Sequence, residues 1–373
     1  MKTEALKTLF KIVLVAFFLY LFLLSIGLMS VAFKGFGRGF AESLIQTTSN
    51  PLAGLFIGIL ATSIVQSSSM TTSIIVGMVG SGVITVTNAI PIIMGANIGT
   101  TVTNTLVSLG HIGRREEFKR AVSAGTVHDF FNLICVAILF PLHLMTGFLE
   151  KMARFMSHIF AGCGGIRFTS PVKMVTKPVI NIMKEAVVNI GLSSNISYLL
   201  LLISAFFLLF LALYFIVKIM RSVVVRRAEI ILNNVISRYG LLAILAGLIF
   251  TTIVQSSSIT TSLMIPLAAA GVLTVEGVLP IVMGANIGTT TTAILASFAT
   301  GNISAITIAF VHFLFNVIGV TLIYPIKPLR RIPMFLSTHL GSLAYRRRRY
   351  VIFYVLTMFF IIPGILIAMS KFF

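Results

Sequence analysis

The sequence predicts an all-α polytopic membrane protein built from two inverted-topology repeats, each with a re-entrant helical hairpin and a broken transmembrane helix, and about seven full crossings. The first observation behind this prediction is composition, since 57% of the 373 residues are hydrophobic and only 10% are charged, with a mean hydropathy of +1.06. A soluble chain cannot cover that much apolar surface. The second is that several apolar runs reach the ~20 residues that a spanning helix needs. The third is an internal duplication.

Three strings of residues occur twice. The first two recur at an offset of 189 residues and the third at 184. They are IVQSSSMTTS at Ile64–Ser73 and IVQSSSITTS at Ile253–Ser262, MGANIGTT at Met94–Thr101 and Met283–Thr290, and HDFFN at His128–Asn132 with HFLFN at His312–Asn316. Such a pair of halves within one chain is typical of a transporter scaffold.

In chain order, the sequence divides into six segments. They are an N-terminal transmembrane helix (1–46), a first transport repeat of hairpin, broken helix and helix (47–145), an outer connecting loop with amphipathic helices (146–196), a linking transmembrane helix with a cytoplasmic segment (197–236), a second transport repeat (237–326), and a basic cytoplasmic segment with a C-terminal transmembrane helix (327–373).

Each hairpin is predicted from length. The run from Pro51 to Gly82 is too long for one straight crossing, while two arms of about 15 residues would each span about 22 Å, less than the ~30 Å hydrocarbon layer. We therefore expect a re-entrant hairpin with its tip near Gln66–Ser69, and a second over 240–271.

The next apolar segment of each half contains GANIGT, where glycines surround an asparagine and a threonine follows. Glycine weakens a helix, and Asn and Thr compete for its hydrogen bonds, so we expect a break at mid-membrane. The alternative is that Gly95, Gly99, Gly284 and Gly288 are points of close helix packing.

Topology follows from counting. Three full crossings separate the two hairpins, so the hairpins enter from opposite faces and the halves are inverted. One face collects 19 of the 28 Lys and Arg residues, which predicts that it is cytoplasmic. The N-terminus is then inside, the C-terminus outside, and the protein lies in the plasma or inner membrane. The basic residues flank apolar segments, which favours contact with the lipid bilayer over nucleic acid.

The hairpin tips and the GANIGT strings contain no charged residue and no histidine. Neutral side-chain oxygens suit a hard monovalent cation such as Na⁺ and do not suit a transition metal. Hydroxyls and free helix N–H groups can hold an anion. A site with both properties would let a cation offset the charge of an anion, so that each ion favours the binding of the other.

The paired QSSS strings, each followed by MGANIGTT, closely resemble those of the type II sodium-dependent phosphate cotransporters, over about 45–145 and 235–345. The resemblance implies sodium-coupled phosphate uptake by alternating access, with Na⁺ as coupling ion and no organic cofactor. The phosphate-binding residues that it implies are Gln66, Ser67, Ser68, Ser69, Asn97, Gln255, Ser256, Ser257, Ser258 and Asn286. The sodium-binding residues that it implies are Gln66, Ser68, Asn97, Thr100, Gln255, Ser256, Asn286, Thr289 and Thr292.

One departure concerns an acidic residue that the animal members carry after the first broken helix, where Arg114 stands near the matching position. The alternatives within transport are symport of sulfate or a dicarboxylate, and passive anion conduction. The sequence shows no intramembrane nucleophile with a base and no nucleotide-binding glycine loop, so nothing in it indicates an enzyme. His128 and Asp129 fall within a membrane helix, either as an interhelical hydrogen-bonding pair or as a sodium or proton relay.

Overall fold

A computed structural model describes residues 2–162, 171–236 and 240–370, and this part of the chain is helical with no strand. Within those ranges, seven helices are long and apolar enough to cross a membrane, which confirms the predicted number of crossings. They cover Leu9–Gly35, Val86–His111, Arg115–Thr146, Ser194–Met220, Val275–Thr300, Ile303–Ile323 and Arg349–Met369.

The helices of the N-terminal half are α1 (Lys2–Gly35), α2 (Arg38–Thr47), α3 (Pro51–Val65), α4 (Ser68–Ser81), α5 (Val86–Thr100), α6 (Val102–Ser108), α7 (Arg115–Thr146), α8 (Phe148–Gly162) and α9 (Pro171–Val188). Those of the C-terminal half are α10 (Ser194–Ile236), α11 (Gly240–Val254), α12 (Ser257–Ser262), α13 (Met264–Ala269), α14 (Val275–Thr300), α15 (Ile303–Ile323), α16 (Lys327–Arg346), α17 (Arg349–Leu356) and α18 (Ile362–Met369). A 3₁₀ turn follows α6, and a π turn joins α17 to α18.

The first hairpin consists of α3 and α4, which have 15 and 14 residues. Its entry is fixed by Asn50, whose side-chain oxygen accepts hydrogen bonds from the amides of Leu52 and Ala53 at 3.0 and 3.3 Å. The turn falls at Gln66, which adopts a left-handed conformation with φ of 55° and ends α3. Ser67 then caps α4 by accepting from the amide of Met70 at 3.3 Å. The tip lies where the sequence predicts it.

The second hairpin repeats this turn. Gln255 is left-handed with φ of 59°, and Ser256 accepts from the amide of Ile259 at 3.4 Å. The second arm is split into α12 and α13 at Leu263. Pro266 explains the split, because its missing N–H removes the helical hydrogen bond to the carbonyl of Ser262.

The predicted breaks inside GANIGT are wrong. In the second half the string lies within the continuous helix α14, and in the first half it lies within α5, which is interrupted only afterwards at Thr101. The prediction failed because it treated the glycines as helix breakers, whereas the structure uses them for close packing. A Cβ at Gly95 or Gly99 would collide with carbonyl oxygens of α3.

The same seam of close backbone contact joins α11 to α14. A Cβ at Gly284 or Gly288 would collide with carbonyls of α11, and one at Gly247 on α11 would collide with the carbonyl of Ile281. In the first half Gly58 meets the carbonyl of Ile92 in the equivalent way. The first arm of each hairpin is therefore fastened to the long helix that follows it, and the tip is positioned relative to GANIGT.

The segment between the two halves contains α8 and α9, both of which leave apolar side chains exposed, among them Phe155 on α8 and Ile182 on α9. Ser157 of α8 also contacts the second half through a hydroxyl pair with Thr307 at 2.9 Å. At the C-terminal end, α16 packs against α7, with Gly341 seated on the backbone of Lys119. The segment boundaries, the orientation of the termini and the inverted relation of the halves remain predictions.

The glycine seam can be tested with Gly95→Ala. The added methyl group meets the Leu55 carbonyl on rigid backbone, so we expect a loss of about 1–3 kcal/mol in stability, typical of overpacking. The measurement is the thermal midpoint of the detergent-purified protein. Gly364→Ala is the control, because a Cβ there meets nothing within 4 Å. Equal midpoints for the two variants would contradict the seam.

Candidate functional site

The two hairpin tips meet at a hydroxyl of the first tip. Ser69 Oγ donates to the backbone carbonyl of Gln255 at 3.1 Å and lies 3.3 Å from the hydroxyl of Thr292. Thr292 in turn donates to Gln255 Oε1 at 2.7 Å. This Ser69–Gln255–Thr292 junction joins the first tip, the second tip and α14, three elements that are far apart in sequence.

The remaining tip residues surround the junction to different degrees. Ser68, Ser69 and Ser257 are buried, while Ser67, Ser256 and Ser258 are half-buried. Gln66 is exposed, in contrast to the half-buried Gln255, whose amide also donates to the carbonyl of Thr252. The two predicted glutamines are thus in different surroundings.

The capping serines keep a proton for a ligand. Ser67 and Ser256 use an oxygen lone pair to accept from a backbone amide, and this leaves each O–H able to donate. Donor hydroxyls at the start of a helix are suited to an anion, because the helix N-terminus adds free N–H groups and a favourable dipole. At the first tip, α4 begins directly after Ser67 and runs for 14 residues.

The two predicted asparagines are buried and are connected through α7. Asn286 Oδ1 accepts from His128 Nε2 at 2.6 Å, and the side-chain amide of Asn286 donates to Asn132 Oδ1 at 2.6 Å. Asn132 donates to the backbone carbonyl of Asn97 at 2.7 Å. The side-chain amide of Asn97 donates within its own helix, to Ile93 at 3.0 Å.

Two members of this network lie outside the predicted site residues. Asn132 belongs to a repeated string whose recurring histidine and asparagine indicate a structural pair, and Asn104 has no predicted role. Asn104 lies 3.1 Å from His128 Nδ1, and its Oδ1 accepts from Thr261 of the second hairpin at 2.6 Å. Because His128 Nε2 carries the proton, Nδ1 is the acceptor and Asn104 the donor. The signal was a polar residue one turn after GANIGT.

The hydroxyls of the predicted sodium ligands Thr100 and Thr289 bond within their own helices and not to the residues of the Ser69–Gln255–Thr292 junction. Each hydroxyl donates to a carbonyl one turn earlier in its own helix, Ala96 at 3.0 Å and Ala285 at 3.1 Å. Both are buried, and the donated proton leaves oxygen lone pairs for a cation. Of the predicted threonines, Thr292 alone joins the junction.

Asp129 is the acidic group of the buried region around α7. It is completely buried, and its Oδ2 accepts from Thr105 and from the hydroxyl of Tyr354, both at 3.1 Å. Its other oxygen, Oδ1, has no hydrogen-bond partner among the residues that the structure describes. A buried carboxylate oxygen with free lone pairs is an unusual feature at this depth and attracts a cation or a proton.

Arg114 is not part of this site. It lies in the exposed connection before α7 and pairs with Glu117 at 2.7 Å. The hydrogen bond with Glu117 raises the pKa of Arg114. This direction follows from the favourable interaction of the two charged forms.

Comparison with known proteins places the chain in a family. A family model described as Na+/Pi-cotransporter matches residues 21–169 and 194–341. Sodium-dependent phosphate transport protein 2B of Homo sapiens is 35% identical, over 96% of this chain and 65% of its own length. Sodium-dependent phosphate transport protein 2A of Rattus norvegicus is 34% identical, over 97% of this chain and 68% of its own length.

No solved structure matches the chain. The chain spans about two thirds of the length of these relatives, just under that share for the 2B proteins. The two matched ranges each contain one QSSS tip and one GANIGT string, so both copies of the duplicated unit carry the similarity. The chain belongs to the Na+/Pi-cotransporter family.

Proposed function

We propose that this protein is a secondary active transporter that carries inorganic phosphate into the cell together with sodium, by alternating access and without an enzymatic step. The observation that carries the proposal is the Ser69–Gln255–Thr292 junction, where both hairpin tips and α14 meet in a region of hydroxyls and amides. The proposal agrees with the names of the relatives, which are sodium-dependent phosphate transport proteins.

The phosphate is held by uncharged donors. The hydroxyls of the capping serines Ser67 and Ser256, together with Ser68, Ser69, Ser257 and Ser258, replace part of its hydration shell, and Gln66, Gln255, Asn97 and Asn286 supply amide groups. No lysine or arginine lies in either tip to balance the anion. A multiply charged anion in such a site is stabilised when cations bind beside it, which couples the two ions.

The sodium ions are held by oxygens. Side-chain oxygens of Gln66, Ser68, Asn97 and Thr100 in the first half, and of Gln255, Ser256, Asn286, Thr289 and Thr292 in the second, are hard ligands of the kind that Na⁺ accepts. We add Asp129, because its buried Oδ1 has no hydrogen-bond partner among the described residues and its carboxyl is the acidic group of the buried region around α7. Lipid surrounds the protein in the cell membrane, with the N-terminus inside.

The function is tested by uptake of radiolabelled phosphate into proteoliposomes, with an inward sodium gradient and with potassium in its place. We expect accumulation with sodium only. Unlabelled phosphate should compete with the label, and unlabelled sulfate or succinate should not. Uptake that survives collapse of the sodium gradient would favour a passive channel, and competition by sulfate or succinate would favour another oxyanion.

The junction is tested with Ser69→Ala. This change leaves the Gln255 backbone carbonyl without its partner and removes one of the two contacts of the Thr292 hydroxyl, which keeps its bond to Gln255 Oε1. A lost partner at a buried group costs about 1–3 kcal/mol, so the uptake rate should fall about tenfold. Ser81→Ala on the same helix is the matched control, since its hydroxyl bonds only to the carbonyl of Met78. Equal uptake by the two variants would remove the junction from the mechanism.

Asp129 is tested with Asp129→Asn, which keeps the shape and removes the charge. We expect the sodium concentration for half-maximal uptake to rise about tenfold. A tenfold change corresponds to about 1.4 kcal/mol, which is less than the ~4 kcal/mol of a full ion pair at an effective dielectric of 20. Tyr354→Phe is the control, because it removes one donor to the carboxylate and keeps its charge. A sodium dependence that is unchanged in Asp129→Asn would exclude Asp129 as a cation ligand.

A further inference from the structure

Within the described ranges, several buried polar atoms have no hydrogen-bond partner, and three of the residues concerned have a duplicate elsewhere in the chain whose side chain is hydrogen-bonded. The unpartnered groups are the hydroxyls of Thr62 and Thr103 and both ring nitrogens of His312. Their counterparts at the repeat offsets are Thr251, Thr292 and His128. An unsatisfied buried group is costly, so a systematic difference of this kind between duplicated halves needs a physical reason.

The first comparison lies within the hairpins. In the second hairpin the hydroxyls of Thr251 and Thr260 are 2.6 Å apart and connect the two arms. In the first hairpin Thr62 has no partner among the described residues. The residue across the turn, Thr71, bonds to the carbonyl of Ser67 at 3.2 Å, as Thr260 does to the carbonyl of Ser256, but makes no bond to Thr62. The connection between the arms is therefore made in the second hairpin and absent in the first.

The second comparison lies between each tip and the long helix of the other half. Thr292 contacts Ser69 and Gln255 in the junction described above. Its counterpart Thr103 has no partner, although α6, which carries it, packs against α12 of the second hairpin, just as α14 packs against α4. At the repeat offset, Ser69 corresponds to Ser258 and Gln255 corresponds to Gln66, so Ser258 and Gln66 are the partners that Thr103 would have by analogy with Thr292.

The third comparison lies between the long helices. His128 on α7 is bonded to Asn286 on α14. Its counterpart His312 on α15 is completely buried and unpartnered, although α15 packs against α5, where Asn97 is the counterpart of Asn286. Asn97 and Asn316 do not bond to each other, as their counterparts Asn286 and Asn132 do. Each donates to a carbonyl of its own helix.

The three differences have the same direction. Every partnered member of a pair lies around the second hairpin and α14, and every unpartnered member lies around the first hairpin, α5 and α6. We propose that the opposite-facing state exchanges the partnered and unpartnered members of these pairs. In that state His312 bonds to Asn97, Thr103 bonds to Ser258 and Gln66, and Thr62 bonds to Thr71. Their counterparts His128, Thr292 and Thr251 give up the bonds seen here. His312 is then the residue that positions Asn97 in that second state.

This exchange rests on the alternating access proposed above, and it explains why buried polar groups remain in the apolar core without a partner. They are paired in one of two states, and the near-equal number of bonds in each state keeps the two states close in free energy. Ser73, which is also unpartnered, stands outside the exchange. Its counterpart Ser262 bonds to Asn104, whose own counterpart is Ala293.

The experiment compares two cysteine pairs in a background of Cys135→Ala and Cys163→Ser, in membrane vesicles treated with an oxidant. The pair Thr251→Cys with Thr260→Cys reports the connection that is closed here, and the pair Thr62→Cys with Thr71→Cys reports its open counterpart. Initial rates of disulfide formation are measured by peptide mass spectrometry. We expect both pairs to cross-link, because each connection is closed in one of the two states.

His312→Leu is then added to each pair. We expect cross-linking of the Thr62–Thr71 pair to slow about tenfold, since the second state loses a buried hydrogen bond, while the Thr251–Thr260 pair keeps its rate and shows that the protein is folded. His312→Gln is the matched control and should restore the rate, because its amide can donate to Asn97 as a ring nitrogen would.

Two results would overturn the exchange. One is cross-linking of the Thr251–Thr260 pair alone, which would mean that the unpartnered groups stay unpaired within the protein. The other is a Thr62–Thr71 rate that His312→Leu does not change. The assay contains no phosphate, so cross-linking of both engineered pairs, together with no phosphate uptake by the wild-type chain, would refute the proposed substrate and support the exchange.

Discussion

A hydrogen-bonding group in the interior of a membrane protein is not in contact with bulk water, so its hydrogen-bond partner must belong to the protein or to a ligand. This constraint decides the arrangement of nearly every polar residue described above. The tip serines cap helices, the threonines of the long helices bond to carbonyls one turn back, and the asparagines bridge helices from opposite halves. Some buried polar atoms have no hydrogen-bond partner among the described residues, above all Oδ1 of Asp129 and the ring nitrogens of His312. These are the groups to which we assign a functional role.

The glycine seams make this polar arrangement possible. By bringing the backbone of α3 against α5, and that of α11 against α14, they place a short hairpin arm beside a full-length helix without intervening side chains. The tip of each hairpin is thereby held at the depth of GANIGT, and the serines of one half can reach α14 of the other. Close approach of backbones through small residues is a general way of packing helices in lipid, where no hydrophobic force drives helices together.

The absence of fixed charge at the tips has a consequence for coupling. Under the proposed function, a site with lysine or arginine would hold the anion without help, whereas the uncharged groups of the two tips would leave much of the charge of a bound phosphate unbalanced. Cations bound beside it would then be substrates of the same cycle. Asp129 follows His128 on α7, the helix whose His128 and Asn132 bond to α14 and α5, so a cation bound at Asp129 would act on the helix that holds the asparagines.

The sequence by itself determined the membrane class, the seven long apolar helices, the duplication, and the two turns at Gln66 and Gln255, because each follows from local composition, segment length or repetition. It did not determine whether the GANIGT glycines break or pack their helices, since the same residues serve both purposes and the choice depends on which helix lies opposite. Nor did it determine that His128 is paired and His312 is not. Two copies of one string present the same groups, and only the placement of one half against the other decides which copy finds its partner.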